Sequence, residues 1–335
     1  MFSISFLYIN EPGAIIGING GYFEVKQKKG LVRKIPKETL ESITIFGNSL
    51  MTNQCIAVCL ENGIPINYFS GKGSYFGKLV STAHVNAERI KKQVYVSDNK
   101  EFCIAFSKKI IKAKIHNQIV ILRRYCKNNK IDVSHYINSM KNAEKQIQFC
   151  ETISKIMGFE GIAAKNYFSA LSLLVNNDFK FQGRSRRPPK DAFNSMLSLG
   201  YTILMYTIYA EIENRGLSPY ISFFHSIKEK HPSLASDLME EWRAVIVDSV
   251  VMSLVQGNEI DIIDFKKEDD GVFLNENAMR IFISKFSKKI NNENRYILYD
   301  GENSSFRRCI YIQTLRLLEA LEKEDADIYK PVTIR

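Results

Sequence analysis

Glu160, His225, Asp237 and Glu240 are the side chains of this sequence whose types and spacing suit a hard metal ion. His225 closes an aromatic run, ISFFH, shortly before the charged segment PSLASDLMEEWR. Ser233 reads as the N-cap of a helix there. Residues three or four apart on a helix share a face, so Asp237 and Glu240, or Asp237 and Glu241, can point to one spot. Glu160 stands in GFEGIAAKNYF, after Gly158, and reads as the first-turn acid of an apolar helix, where the helix dipole favours a carboxylate. One imidazole with two or three carboxylates supplies mostly oxygen and one nitrogen. That set suits Mg²⁺ or Mn²⁺ and leaves positions for water and phosphate oxygens. Zinc fits less well, because no cysteine accompanies the group. A cation so held would neutralise a phosphodiester and activate an attacking hydroxyl. A plainer reading stands beside each part: a solvated acidic face, a helix-start glutamate, and a core histidine with His84, His116, His135 and His231 as competitors.

Basic residues flank these positions. Arg184, Arg186, Arg187 and Lys190 crowd the loop-like stretch before Pro188 and the start of the next helix. Lys228 follows His225 by three residues, and Arg243 follows Glu240 by three. Cations beside a metal site fit an anionic substrate such as DNA, although a solvated basic loop has the same composition. The net charge of +10 also favours an anionic partner, of which nucleic acid is the commonest. Other chemistries lack their motifs. There is no G-x-S-x-G elbow and no phosphate-binding G-x-x-x-x-G-K-[ST] loop, and GINGGYF reads as a β-turn rather than a dinucleotide fingerprint.

These residues need elements to hold them. Residues 1–82 read as mostly β: Phe2–Ile9, Ala14–Ile18, Tyr22–Lys26, Leu31–Ile35 and Ile64–Phe69, with one helix at Thr52–Glu61. From residue 83 to 335 the pattern is helical. Segments fall at Phe102–Arg124, Asn142–Met157, Glu160–Leu174, Pro188–Asn214, Ser233–Leu254, Asn275–Lys288 and Ser305–Leu321. The expected fold class is α+β: an N-terminal β-rich sandwich or roll domain, then a larger all-helical C-terminal catalytic domain. The six cysteines form no C-x-x-C pair, and Cys55 and Cys59 fit packed helix positions, which suits a reducing cytoplasm. No signal peptide and no run of 18 apolar residues is visible, so the expected setting is cytoplasmic, without a membrane.

GFEGIAAKNYF, SRRPPKDAFNSMLSLGYTIL, GLSPYISFFHSIKEKHPSLASDLMEEWR and KAKIHNQIVILRR resemble the metal-dependent DNA endonuclease and integrase family of CRISPR adaptation, which inserts new spacers. LYINEPGA, GNSLMTN and NGIPINYFSGKGSYFGKL near the start are also similar, as are DGVFLNENAMRIFISKF and SSFRRCIYIQTLRL near the end. The resemblance therefore covers nearly the whole chain. It implies that Glu160, His225 and Glu240 are the catalytic metal-holding residues, with Asp237 as a further acidic position and Lys228 and Arg243 as basic neighbours. The doubled Glu240-Glu241 offers two choices of ligand, and the motif register favours Glu240. Further implications are Mg²⁺ or Mn²⁺ as cofactor, double-stranded and branched DNA as substrates, and a homodimer formed through the β-rich domain. A small ferredoxin-like partner subunit would bridge two such dimers into a heterohexamer. The implied reaction is attack of a 3′-hydroxyl on a phosphodiester at a repeat boundary. Two alternatives stay open: a structure-specific nuclease on branched DNA acting in repair, and a non-catalytic DNA-binding scaffold in which the same residues only pack or pair.

Overall fold

The computed structural model describes the chain from Ser5 onward, except residues 28–29, 31, 83–84, 128–130, 187 and 300–301. It divides into two compact units. One is Met1–Val85 with Leu274–Ile283, and the other is Asn86–Phe273 with Ser284–Arg335.

The first unit carries eight described strands in two four-stranded sheets. Strands β1 (Ser5–Ile9), β5 (Leu40–Phe46) and β7 (Ile66–Phe69) run parallel, and β8 (Tyr75–Leu79) closes that sheet antiparallel to β7. The other sheet has the order β4 (Val32–Pro36), β3 (Tyr22–Lys26), β2 (Ile15–Asn19), β6 (Leu50–Met51). Its β2–β3 hairpin turns on Gly20 and Gly21, with φ of 55° and 81°. A tight two-residue hairpin loop asks for positive φ at both positions, which explains the glycine pair. Helix α1 (Asn53–Glu61) is capped by the Thr52 hydroxyl, which accepts the Cys55 N–H at 3.2 Å. Cys55 and Cys59 are fully buried with Ile16, Phe23, Ile43 and Ile66, so both thiols are packing groups, as their helical spacing implies.

The second unit is mostly helical. Helices α2 (Ala87–Ser97), α3 (Lys100–Cys126), α4 (Ser134–Ile147), α5 (Ile153–Leu173) and α6 (Ala192–Asn214) come first. They are followed by α7 (Ser233–Met239), α8 (Ser249–Gln256), α9 (Glu276–Asn291, which spans both units) and α10 (Phe306–Lys323). The mixed α+β class with a β-rich start agrees with the expectation. The region after residue 83 is not all-helical as expected: between α8 and α10 the chain forms two short ribbons, β9 (Phe265–Glu268) with β10 (Gly271–Leu274) and β11 (Glu293–Tyr299) with β12 (Glu302–Ser305). Among the described residues, no helix is long and apolar enough to cross a membrane.

Four boundaries differ from the sequence pattern: the expected helix Asn142–Met157 is split between the end of α4 and the start of α5, and three further differences affect the candidate site. Helix α5 begins at Ile153, with Thr152 as its cap, so Glu160 lies in mid-helix rather than in a first turn. Gly158 does not break the helix. Helix α6 begins after Asp191, whose carboxylate accepts the Asn194 N–H at 2.7 Å, and not at Pro188. The stretch Ser233–Leu254 is interrupted. Helix α7 ends at Met239, a turn follows, and Arg243–Asp248 is π-helical before α8 resumes. Ser233 is the first residue of α7, after Pro232, and makes no side-chain cap.

Candidate active site

Three elements of the helical unit bring Glu160, His225 and Glu240 together. Helix α3 is long and largely buried, yet Ser107, Lys114, Asn117 and Gln118 lie among its buried residues. Their spacing puts a polar stripe on one helical face. Lys114 is only 7% exposed, and its ammonium contacts Glu160 Oε1 on α5 and lies 2.6 Å from Glu240 Oε2 after α7. Arg243 Nε approaches the same Glu240 oxygen at 3.0 Å. On the other side, His225 Nε2 is 3.8 Å from Glu240 Oε1. Glu240 is therefore ringed by two cations and an imidazole. Burial acts to raise its carboxyl pKa, but Arg243, Lys114 and His225 outweigh it and hold the value near 2. The same attraction raises the pKa of Lys114 and of Arg243, against their burial.

His225 is oriented from behind. Asp237 is fully buried, and its Oδ1 lies 2.7 Å from His225 Nδ1. The same carboxylate accepts three successive backbone N–H groups, from Phe223, Phe224 and His225, at 2.9–3.0 Å. All four donors come from the histidine loop, so the acid stitches that loop to α7. With the proton on Nδ1, donated to Asp237, the free lone pair of the ring lies on Nε2, which faces Glu240. Burial acts to lower the His225 pKa, yet the hydrogen bond and charge of Asp237, with Glu240, raise it overall. The Asp237 oxygens face four donors, an arrangement that suits a group holding the imidazole in place.

The neighbouring acids separate cleanly. Glu241 points the opposite way, to the end of the chain, where it accepts the Tyr329 hydroxyl and the Val332 N–H at 2.8 Å. Burial pushes its carboxyl up to about 7. Glu240, and not Glu241, therefore lies beside Lys114 and His225. Asn117 fastens the same chain end, donating to the carbonyls of Glu241 and Val332 at 2.9 and 3.0 Å and accepting the Ile334 N–H at 3.0 Å.

Behind Glu240 lies a buried polar network that the sequence pattern did not single out. Asp248 accepts the hydroxyls of Tyr167 (2.7 Å, from α5) and Tyr201 (2.5 Å, from α6). Burial pushes Asp248 up to about 6, against those two bonds. The Tyr201 ring carries two guanidiniums, Arg243 at 4.8 Å and Arg184 at 5.2 Å from its centroid. Arg243 and Asp248 are five residues apart and would lie on different faces of an α-helix. The π-turn returns them to the same side, toward α5 and α6. Tyr167 follows Glu160 by seven residues, two turns along the same face of α5. The signals for these residues were faint: a lysine on the apolar face of α3, and tyrosines at core spacing.

The expected phosphate binders divide into two groups. Arg184 is not a free loop cation. It donates to Asn194 Oδ1 at 2.8 Å and Ser198 Oγ at 3.0 Å, pinning its loop to α6, and burial lowers its pKa. Arg243 is likewise tied to Glu240 and Tyr201. Both side chains are engaged within the protein. Arg186, Lys190 and Lys228 are exposed, Lys190 with its ammonium donated to the Asp270 carbonyl at 2.9 Å. Arg187 and His84 lie outside the described residues. The remaining histidines have other partners: His116 with the Ile334 carbonyl, His231 with Ser236, and His135 beside the Tyr136 ring.

Among the described residues, no three His, Cys, Asp or Glu side chains stand close enough to form a ready-made metal cage. The donor set still fits a hard divalent cation. It has one imidazole nitrogen in a fixed tautomer and two carboxylates already gathered around a positive charge, that of Lys114. Glu240 Oε2 is a buried oxygen that faces two cations, Lys114 at 2.6 Å and Arg243 at 3.0 Å, so its surroundings favour positive charge.

Comparison with known proteins follows the same lines. The family model described as "CRISPR associated protein Cas1" matches residues 7–288. A CRISPR-associated endonuclease Cas1 of Mycobacterium tuberculosis is 37% identical over 319 residues, covering 94% of either chain. The fold is that of a Cas1 protein from Thermotoga maritima, with a TM-score of 0.81 at 24% identity over 95% of this chain and 97% of that one. A chain of a Cas6-RT-Cas1–Cas2 complex also matches, with a TM-score of 0.82 at 26% identity. That match covers 99% of this chain but only 36% of the longer one.

Proposed function

The chain belongs to the Cas1 family of CRISPR-associated proteins, and on that footing we propose that it is a metal-dependent DNA endonuclease and integrase that inserts short duplex spacers into a repeat array. One observation carries the reading: Glu160, joined to Glu240 through the Lys114 ammonium, and His225, 3.8 Å from the other Glu240 oxygen, come from separate elements to surround Glu240. In the reaction, a 3′-hydroxyl of the incoming duplex attacks a phosphorus at the repeat boundary. A new O–P bond forms as the bond to the leaving 3′-oxygen breaks, and one proton passes from attacking to leaving oxygen by way of solvent. Glu160, His225 Nε2 and Glu240 would hold Mg²⁺ or Mn²⁺, which when bound supplies charge neutralisation of the phosphodiester and activation of the hydroxyl.

The chain's own residues prepare that site. Asp237 fixes the imidazole with Nε2 toward Glu240. Arg243 and Lys114 favour the ionised form of Glu240. Arg186, Lys190 and Lys228, exposed on loops, would grip the DNA backbone without reading its sequence. Residues 1–82 would serve as the dimerisation domain and residues 83–335 as the catalytic one. A Cas2-type subunit, small and ferredoxin-like, would bridge two dimers into a heterohexamer. The support for that partner is the likeness to a chain of a Cas1–Cas2 complex.

A joining assay tests the reading. Labelled duplex with 3′-hydroxyl ends is incubated with supercoiled repeat-bearing plasmid, the protein and its Cas2-type partner, in Mg²⁺ or in EDTA. Metal-dependent transfer of label into the plasmid is expected. Cleavage of branched DNA without transfer would point instead to a repair nuclease. Tight DNA binding with neither activity would leave only a scaffold.

A further inference from the structure

Lys114 enters the scheme so far only as a charge beside Glu240, yet it bridges two of the proposed metal-holding acids. It is 7% exposed, on the buried face of α3, and its ammonium touches both Glu160 and Glu240. Those are two of the three side chains that would hold the metal. Without a cation between them, two carboxylates drawn this close would repel each other. A buried lysine left without them would also be far less stable in its charged form. The three side chains are therefore mutually dependent, and the lysine holds the acids at their present spacing.

A divalent ion bound by the same two carboxylates needs the space that this ammonium now fills. The metal and the ammonium cannot both occupy the one position between Glu160 Oε1 and Glu240 Oε2. We propose that Lys114 is a positioning residue that acts as a resident counter-ion: it pre-gathers Glu160 and Glu240 in the metal-free protein and must swing aside when the metal enters. The proposal rests on the metal reading given above. Metal affinity is then set by a competition inside the protein. The site is assembled before the ion arrives, and a monovalent ion gains little by displacing a charge equal to its own.

The test is metal binding to the full-length protein without DNA, followed by calorimetry and by the electron-spin signal of free Mn²⁺. Wild type is compared with Lys114→Met, Lys114→Arg and Glu160→Gln. Removal of the competitor predicts that Lys114→Met binds Mn²⁺ at least about tenfold more tightly than wild type, a change of about 1.4 kcal/mol. Lys114→Arg keeps the competing charge and stays close to wild type. Metal-free Lys114→Met melts lower than wild type, and saturating Mn²⁺ closes the gap. A merely structural lysine predicts the opposite: weaker binding by Lys114→Met. Equal or weaker binding in that variant, with wild-type binding lost in Glu160→Gln, overturns the proposal and leaves the metal reading intact. No Mn²⁺ binding by wild type overturns both. Should Lys114→Met fail to fold, wild type labelled with ¹⁵N at lysine Nζ decides the matter. Its buried ammonium resonance is expected to shift or vanish on saturation with Mg²⁺, and an unchanged resonance contradicts displacement.

Discussion

His225 works only because Asp237 holds it, and that pairing sets the first expectation. Asp237→Asn keeps the shape but gives up the charge and one acceptor facing the Phe223, Phe224, His225 backbone and the ring. Loss of a group that orients a metal-bound histidine typically lowers activity or metal affinity by about 10–100-fold. We expect that fall in DNA joining, with duplex affinity unchanged. Undiminished joining would show that the imidazole needs no such support. Glu240 and Glu241 should also part company: Glu240→Gln abolishes joining, whereas Glu241→Gln lowers stability through its lost fit to Tyr329 and Val332 and spares the chemistry. Asp248 gives a pH signature. Its carboxyl is raised from 3.8 to about 6 by burial, so the folded state favours the neutral form. Below about pH 4 both folded and unfolded chains carry that proton. As pH rises from about 4 to about 6 the unfolded chain releases it first, and stability falls by an amount on the order of 3 kcal/mol. Denaturant unfolding across pH 4–8 should show this fall in wild type and a smaller one in Asp248→Asn. Equal slopes would mean that Asp248 titrates normally.

At the scale of elements, α5 carries two glycines beside Glu160 that nothing in the protein itself requires. A Cβ built at Gly158 or Gly161 meets no atom within 4 Å, and both positions are exposed. A glycine inside a helix costs about 1 kcal/mol relative to alanine. Gly161→Ala should therefore raise stability by roughly 0.5–1 kcal/mol. Gly161→Leu should fold equally well but cut joining about tenfold or more if the DNA backbone passes close to this face. Full activity in the leucine variant would place the substrate elsewhere. The same helix shows what sequence periodicity can and cannot yield. The pattern of α5, α6 and α3 was legible because apolar residues recur every three or four positions. Their starts were not, since Thr152 and Asp191 cap helices whose first turns look like loop. The interruption after Met239 was invisible for a different reason. An i→i+5 turn is selected by what it brings together, Arg243 toward Glu240 and Tyr201, and Asp248 toward two tyrosines, and those tyrosines lie 42–81 residues away on other helices.

For the whole molecule, a net charge of +10 predicts salt-sensitive DNA binding, and the exposed cations are the ones expected to contribute. Arg184 and Arg243 looked like phosphate grips because composition reports charge and not engagement. Folding turns both inward, onto Asn194 and Ser198 in one case and onto Glu240 in the other. Replacing Arg186, Lys190 and Lys228 together should weaken DNA binding and flatten its salt dependence without lowering stability. Replacing Arg184 should do the reverse. The central claim is that Glu160, His225 and Glu240 perform chemistry rather than merely pack or bind. One measurement meets it most directly: duplex affinity and metal-dependent joining determined side by side for wild type, Glu160→Ala and His225→Ala. The account predicts that joining falls at least about a thousandfold in both variants, as loss of a catalytic metal ligand should bring, while duplex affinity stays within about twofold. Equal loss of binding and joining, or joining that survives in either variant, would contradict it.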